Sequence, residues 1–151
     1  MKKFQFSLDT VLGYKQQVLD NLRSEHAALL RQVNEQEAVV AALVQQHRQL
    51  NADFREAERE GMTIARAKTY EMGLRALEQQ IQAATVRLRE LEQAAEEKRR
   101  QVVAARQETA SLEKLREQKL DSYQKSVQKH EEQFIDELVS ASRVASPVEA
   151  G

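Results

Sequence analysis

Apolar residues recur every three or four positions along almost the whole chain, in two stripes on either side of Gly61. In the first arm they stand at Leu8, Leu12, Leu19, Leu22, Leu29, Val33, Val40, Leu43, Leu50, Phe54 and Ala57. Lys15, His26, Gln36 and His47 fill the polar exceptions on the same positions. In the second arm the stripe runs through Tyr70, Leu74, Leu77, Ile81, Ala84, Leu88, Leu91, Ala95, Val102, Ala105 and Leu112, with Lys98, Thr109 and Arg116 as exceptions. A 3.5-residue repeat held for roughly seven heptads predicts left-handed supercoiled helices. The fold class expected is all-α: two long helices in an antiparallel coiled-coil hairpin, the second longer and overhanging.

Local signals give the boundaries. Ser7 can cap a first helix over about 8–58 by accepting from a free backbone N–H, and Asp9 in its first turn suits the helix dipole. Gly13 costs that helix about 1 kcal/mol relative to Ala. The segment 59–63 is the expected turn. There Gly61 can take a positive φ and Thr63 can cap a second helix over about 64–143, followed by a frayed tail over 144–151. The whole of 1–151 reads as one coiled-coil domain. At about 1.5 Å per residue, the first arm alone would reach about 75 Å. Such a protein works by contact, reach or torque rather than by enclosing a substrate.

Setting a sites against d sites across the turn predicts a register with Phe54 beside Tyr70, Leu50 beside Leu74, Val33 beside Leu91 and Leu12 beside Leu112. It puts His26 opposite Lys98 and Lys15 opposite Thr109, and leaves His47 and Gln36 facing leucines. Leu8 then lies opposite Arg116, so residues 117–143 have no partner in the first arm. Yet the stripe continues through Leu120, Tyr123, Val127, His130, Phe134 and Leu138 after a stutter at Arg116. Either a partner covers that stretch or residues 1–7 fold back on part of it.

Composition narrows the chemistry. The chain has one Pro, four Gly, no Cys and no Trp, and 31% charged residues, which is coiled-coil composition. A net charge of −1 lacks the basic excess of a nonspecific nucleic-acid binder, so no nucleic-acid partner is expected. No apolar run reaches the roughly 20 residues of a membrane span, and no signal-peptide core follows Met1-Lys2-Lys3. Any membrane association is therefore expected to be indirect, with the chain soluble. No phosphate-binding glycine loop, dinucleotide fingerprint, paired histidine motif or Glu-x-x-His pair is present, so no cofactor, metal or catalytic residue is expected. Arg99-Arg100 beside Lys98 is the densest basic cluster; it reads as a solvated face or as a contact for an acidic surface.

The opening Phe4-x-Phe6-x-Leu8-x-x-Val11-Leu12 resembles the start of the flagellar export protein FliJ family. The segment from Thr69-Tyr70 through Leu77-Glu78 to Ile81, and the late Lys129-His-Glu-Glu-Gln-Phe-Ile-Asp136-Glu137-Leu, are similar to that family as well. The resemblance implies a stalk similar to the central subunit of the rotary ATP synthase, in the cytoplasm at the membrane face of the flagellar base. Its implied partners are the hexameric export ATPase, the cytoplasmic domain of the export gate, and export chaperones. Phe4, Phe6, Leu8, Tyr123, Phe134, Asp136 and Glu137 are the residues expected to meet the ATPase. Leu43, His47, Leu50, Phe54, Tyr70 and Leu77 are those expected to meet the gate. The rivals are an injectisome ATPase stalk, a homo-oligomeric structural coiled coil and a holdase chaperone.

Overall fold

The structure, a computed structural model, describes residues 2–145. It consists of α1 (Asp9–Glu60, 52 residues) and α2 (Ile64–Ala145, 82 residues), with no strand among the described residues. The fold is an all-α hairpin in which the second helix is the longer. The expected tail beyond Ala145 lies outside the described residues.

The turn is built from the residues that predicted it. Gly61 takes φ +91°, a left-handed value that costs residues with a Cβ about 1 kcal/mol or more. Its N–H donates to the Glu58 carbonyl at 3.2 Å, so α1 persists two residues further than expected. Thr63 caps α2: its Oγ accepts from Arg66 N–H at 3.2 Å, and its carbonyl accepts from Ala67 N–H at 3.0 Å. The other end differs from expectation. Ser7 stands in a turn in which the Phe6 carbonyl accepts from Asp9 N–H at 3.0 Å. The first helical bond runs from Leu12 N–H to the Leu8 carbonyl at 2.8 Å. That turn leaves Phe6 buried rather than leading the chain straight into the helix.

Contacts divide the chain into two units. One is Asp20–Ala104; the other joins Met1–Leu19 to Ala105–Gly151. In the first unit, every predicted stripe position from Leu22 to Ala57 and from Tyr70 to Val102 is buried or half-buried. Val33, Leu91 and Ala95 form a buried cluster supported by Leu29 and Leu88. The Phe54 and Tyr70 rings lie 5.2 Å apart, as the register requires. Burying each large aliphatic side chain contributes about 1.5–3 kcal/mol, so the seam carries the fold.

The polar residues in that seam are satisfied sideways. Lys98, expected opposite His26, reaches aside from the seam. Its ammonium passes to Glu25 on the neighbouring position, at 2.8 Å. His47 Nε2 lies 3.2 Å from Glu78 Oε1, and the Gln36 amide donates to the Ala84 carbonyl at 3.0 Å. Long side chains can leave their stems in the seam and reach a partner at its edge. Among the described residues no buried side-chain polar atom lacks a partner.

The second unit follows the same rule. Leu12, Leu19, Ala105 and Thr109 are buried, and the Thr109 hydroxyl donates back to the Ala105 carbonyl at 2.8 Å. Lys15, expected opposite Thr109, pairs with the adjacent Glu108 at 2.8 Å. Gln16 donates to Glu113 at 3.2 Å.

Candidate docking surface

The stripe of α2 continues past the start of α1, and two different things happen to it. Up to Val127 it is half-covered, because the segment before α1 folds back on it. The Phe4 ring lies 5.6 Å from that of Tyr123, tilted by 47°, and the Arg116 guanidinium stands 5.6 Å over the Phe4 ring. Arg116 also pairs with Asp9 at 3.5 Å, and the Tyr123 hydroxyl donates to the Lys2 carbonyl. An aromatic pair with a cation on one face adds about 1 kcal/mol beyond the area it covers. Phe6, only 8% exposed, is the deepest residue of this strap, and Leu8 is half-buried beside it in sequence. Two hollows remain around the strap, of about 410 Å³ beside Arg116 and about 560 Å³ over Lys119 and Tyr123.

From Gln128 to Val144 every residue is exposed. Phe134 and Ile135 are each 57% exposed, Leu138 54% and Val139 45%. Residues four apart on a helix are neighbours, so these four form one contiguous apolar patch two side chains wide. Asp136 and Glu137 stand next to it, also exposed. The bare stretch is therefore shorter than the 117–143 expected, since the stripe as far as Val127 is half-covered.

The seven residues expected at one contact thus fall into two groups. Phe4, Phe6, Leu8 and Tyr123 are buried or half-buried in the strap region, while Phe134, Asp136 and Glu137 are open. Sequence reasoning missed Ile135 and Val139, because a single-file heptad has no place for a second column. The signal was available in the pair of adjacent apolar residues repeated four positions later. It also left the strap open as an alternative; carrying the register past Leu8 sets Lys2 close to Tyr123.

The six residues of the other expected contact lie in the Asp20–Ala104 unit and are all half-buried seam residues. Leu50 and Tyr70 border a shallow hollow of about 290 Å³ with Arg66, Thr69 and Gly73. A Cβ at Gly73 would come to 3.0 Å from Leu50 Cδ2, so the missing side chain makes this dent. Phe54 stacks on Tyr70 beside it, while Leu43, His47 and Leu77 line the seam. Met72, 70% exposed, is a neighbouring apolar residue that the heptad pattern passed over.

The densest basic cluster is paired within the molecule. Arg99 makes two hydrogen bonds to Glu96, at 2.8 and 2.9 Å, and Arg100 adds a contact at 3.6 Å. The Arg99 hydrogen bond, then the charges of Arg99 and Arg100, hold the Glu96 carboxyl below its ordinary range, and Glu96 raises Arg99 in turn. The Arg99-Arg100 cluster is thus a solvated, internally paired face. Lys15 is raised by its hydrogen bond to Glu108 and then by that carboxylate's charge. Among the described residues no group of His, Asp and Glu is arranged to hold a metal ion, and no helix is long and apolar enough to cross a membrane.

A sequence profile of the family described as "Flagellar FliJ protein" matches residues 4–146. That span takes in the strap, both helices and the bare patch. No curated protein and no solved structure matches the chain.

Proposed function

The chain belongs to the flagellar FliJ family and is a component of the flagellar export apparatus, and from that premise we propose that it is the non-enzymatic stalk that couples the hexameric export ATPase to the export gate. The observation that carries this reading is the exposed patch of Phe134, Ile135, Leu138 and Val139 at the end of α2. A helix end with four large apolar side chains in water is an interaction surface. Asp136 and Glu137 beside it give the contact a polar rim.

Phe134, Asp136 and Glu137 make the first contact with the ATPase. Phe4, Phe6, Leu8 and Tyr123 support it from the strap, where they hold each other in place. The gate contact involves Leu43, His47, Leu50, Phe54, Tyr70 and Leu77. The hollow beside Gly73 favours this, because it presents the edges of Leu50 and Tyr70 without opening the seam. Export chaperones are further partners. The protein works in the cytoplasm at the flagellar base and reaches the membrane only through the gate. The flagellar description of the matching family favours this system over an injectisome.

Adding the chain to its cognate export ATPase tests the reading. Wild type raises ATP turnover and hexamer assembly, and Phe134→Ala weakens both while leaving helicity unchanged. If wild type leaves turnover and assembly unaltered, the stalk assignment is wrong. A general holdase would instead suppress aggregation of unrelated proteins with no effect on one specific ATPase.

A further inference from the structure

The unit that joins the chain's two ends carries two surfaces of opposite character. The 560 Å³ hollow is lined by Lys2, Lys3, Lys119, Ser122, Tyr123 and Ser126. Among the described residues no carboxylate pairs with any of these three lysines. On the same helix, the open patch of Phe134, Ile135, Leu138 and Val139 adjoins Asp136 and Glu137, which pair with no cation among the described residues. The chain as a whole is nearly neutral at −1, so this separation of charge is local rather than a by-product of composition.

The spacing of these groups is self-complementary. Lys119 and Glu137 are eighteen positions apart, which is five turns at about 3.6 residues per turn, so they lie on the same face of α2. Two such helices laid antiparallel about a two-fold axis at the level of Gln128 set Lys119 of each against Glu137 of the other. Phe134, about 60° round the helix from Glu137, then borders the contact, whereas Ile135 and Val139 face away from it. The Lys119–Glu137 ion pair forms twice, as a two-fold interface requires. We propose that the free protein associates with a second copy of itself through this antiparallel α2–α2 contact, the lysine-lined hollow of each copy taking the Glu137 face of the other's helix end.

This occupant follows from the charge arrangement on the chain itself and does not depend on the stalk reading; no ATPase enters its test. The contact would border Phe134, which the stalk reading assigns to the ATPase, so the self-associated form is a resting form in which that edge of the patch is covered.

Sedimentation equilibrium on the full chain provides the test, with Lys119→Glu, Glu137→Lys and an equimolar mixture of the two. Both positions are exposed on the helix surface, and circular dichroism verifies that each variant keeps its helicity. Wild type should dimerise with rising concentration, more weakly at high salt. Each variant alone faces two like-charge contacts and should raise the dimer dissociation constant by about tenfold or more. The mixture should recover dimer as a heterodimer, because both contacts are then again opposite in sign. A wild type that stays monomeric to near-millimolar concentration overturns the proposal. So do variants that dimerise as well as wild type, which would place the interface on another face, and a mixture that fails to recover.

Discussion

The seam of the Asp20–Ala104 unit and the stretch from Gln128 to Val144 are written in similar residues, and they end up in opposite surroundings. Leu91 in the first is 6% exposed; Leu138 in the second is 54% exposed. Both sit on a regular apolar stripe of α2. The difference is whether another segment lies over the stripe, and helical periodicity carries no information about that. Stripe residues in the paired region hold the fold together, whereas those in the bare region are available to a partner. The strap between these cases shows an intermediate outcome, in which a short irregular segment covers a helix through aromatic and cationic contacts.

The sharpest way to break this contrast is to truncate one leucine in each region. Leu91→Ala should lower the unfolding free energy by about 2–4 kcal/mol in urea titrations followed by circular dichroism. Leu138→Ala should stay within about 0.5 kcal/mol. Similar losses at both sites would mean that the end of α2 packs inside the molecule.

The strap offers a finer test. Phe4→Ala and Tyr123→Ala should each cost about 1–2 kcal/mol, and the double variant should lose less than the sum by about 1 kcal/mol, the coupling of two rings in contact. Strictly additive losses would separate the strap from α2.

Glycines probe the same regions on a smaller scale. Nothing lies within 4 Å of a Cβ placed on Gly13, so Gly13→Ala should gain about 1 kcal/mol of helix stability. Gly61→Ala should lose about 1 kcal/mol, because φ is +91° there. Gly73→Ala should fall between them, since its new Cβ meets the flexible end of Leu50 at 3.0 Å. Thermal melting of the three variants checks that ordering.

The smallest effect expected is electrostatic. Glu96 is held below its ordinary pKa by Arg99, so its contribution to stability is present above the unfolded-state value and is lost as pH falls through the folded one. Lys15 is raised, so its contribution is present at neutral pH and fades only as pH rises through its folded value. Both groups are solvated and the effects correspondingly slight. Glu96→Gln should flatten the acid side of the stability profile, and Lys15→Met its alkaline side.

Most of the fold was legible because one repeat governs it. The stripe from Leu8 to Leu112 located the seam; Gly61 and Thr63 located the turn; the pairing of Phe54 with Tyr70 follows from the register alone. The polar layers were placed by the register, while the carboxylates that satisfy them were not named. Heptad positions describe where a Cα sits, and Lys98 and Lys15 have stems long enough to choose a carboxylate one residue away. The strap was readable only as an alternative, because its cover depends on two aromatic rings and an arginine rather than on a repeat. The open patch was half seen: Phe134 and Leu138 lie on the heptad, whereas Ile135 and Val139 stand beside it.

Affinity for the export ATPase hexamer is the measurement that bears most directly on the bare end of α2 as a docking surface. Fluorescence anisotropy with labelled full-length chain, at concentrations too low for self-association, compares wild type with the double variant Phe134→Ser, Leu138→Ser. The expected result is binding weakened by about tenfold or more, with helicity and melting temperature unchanged. Equal affinity for wild type and variant would contradict the account.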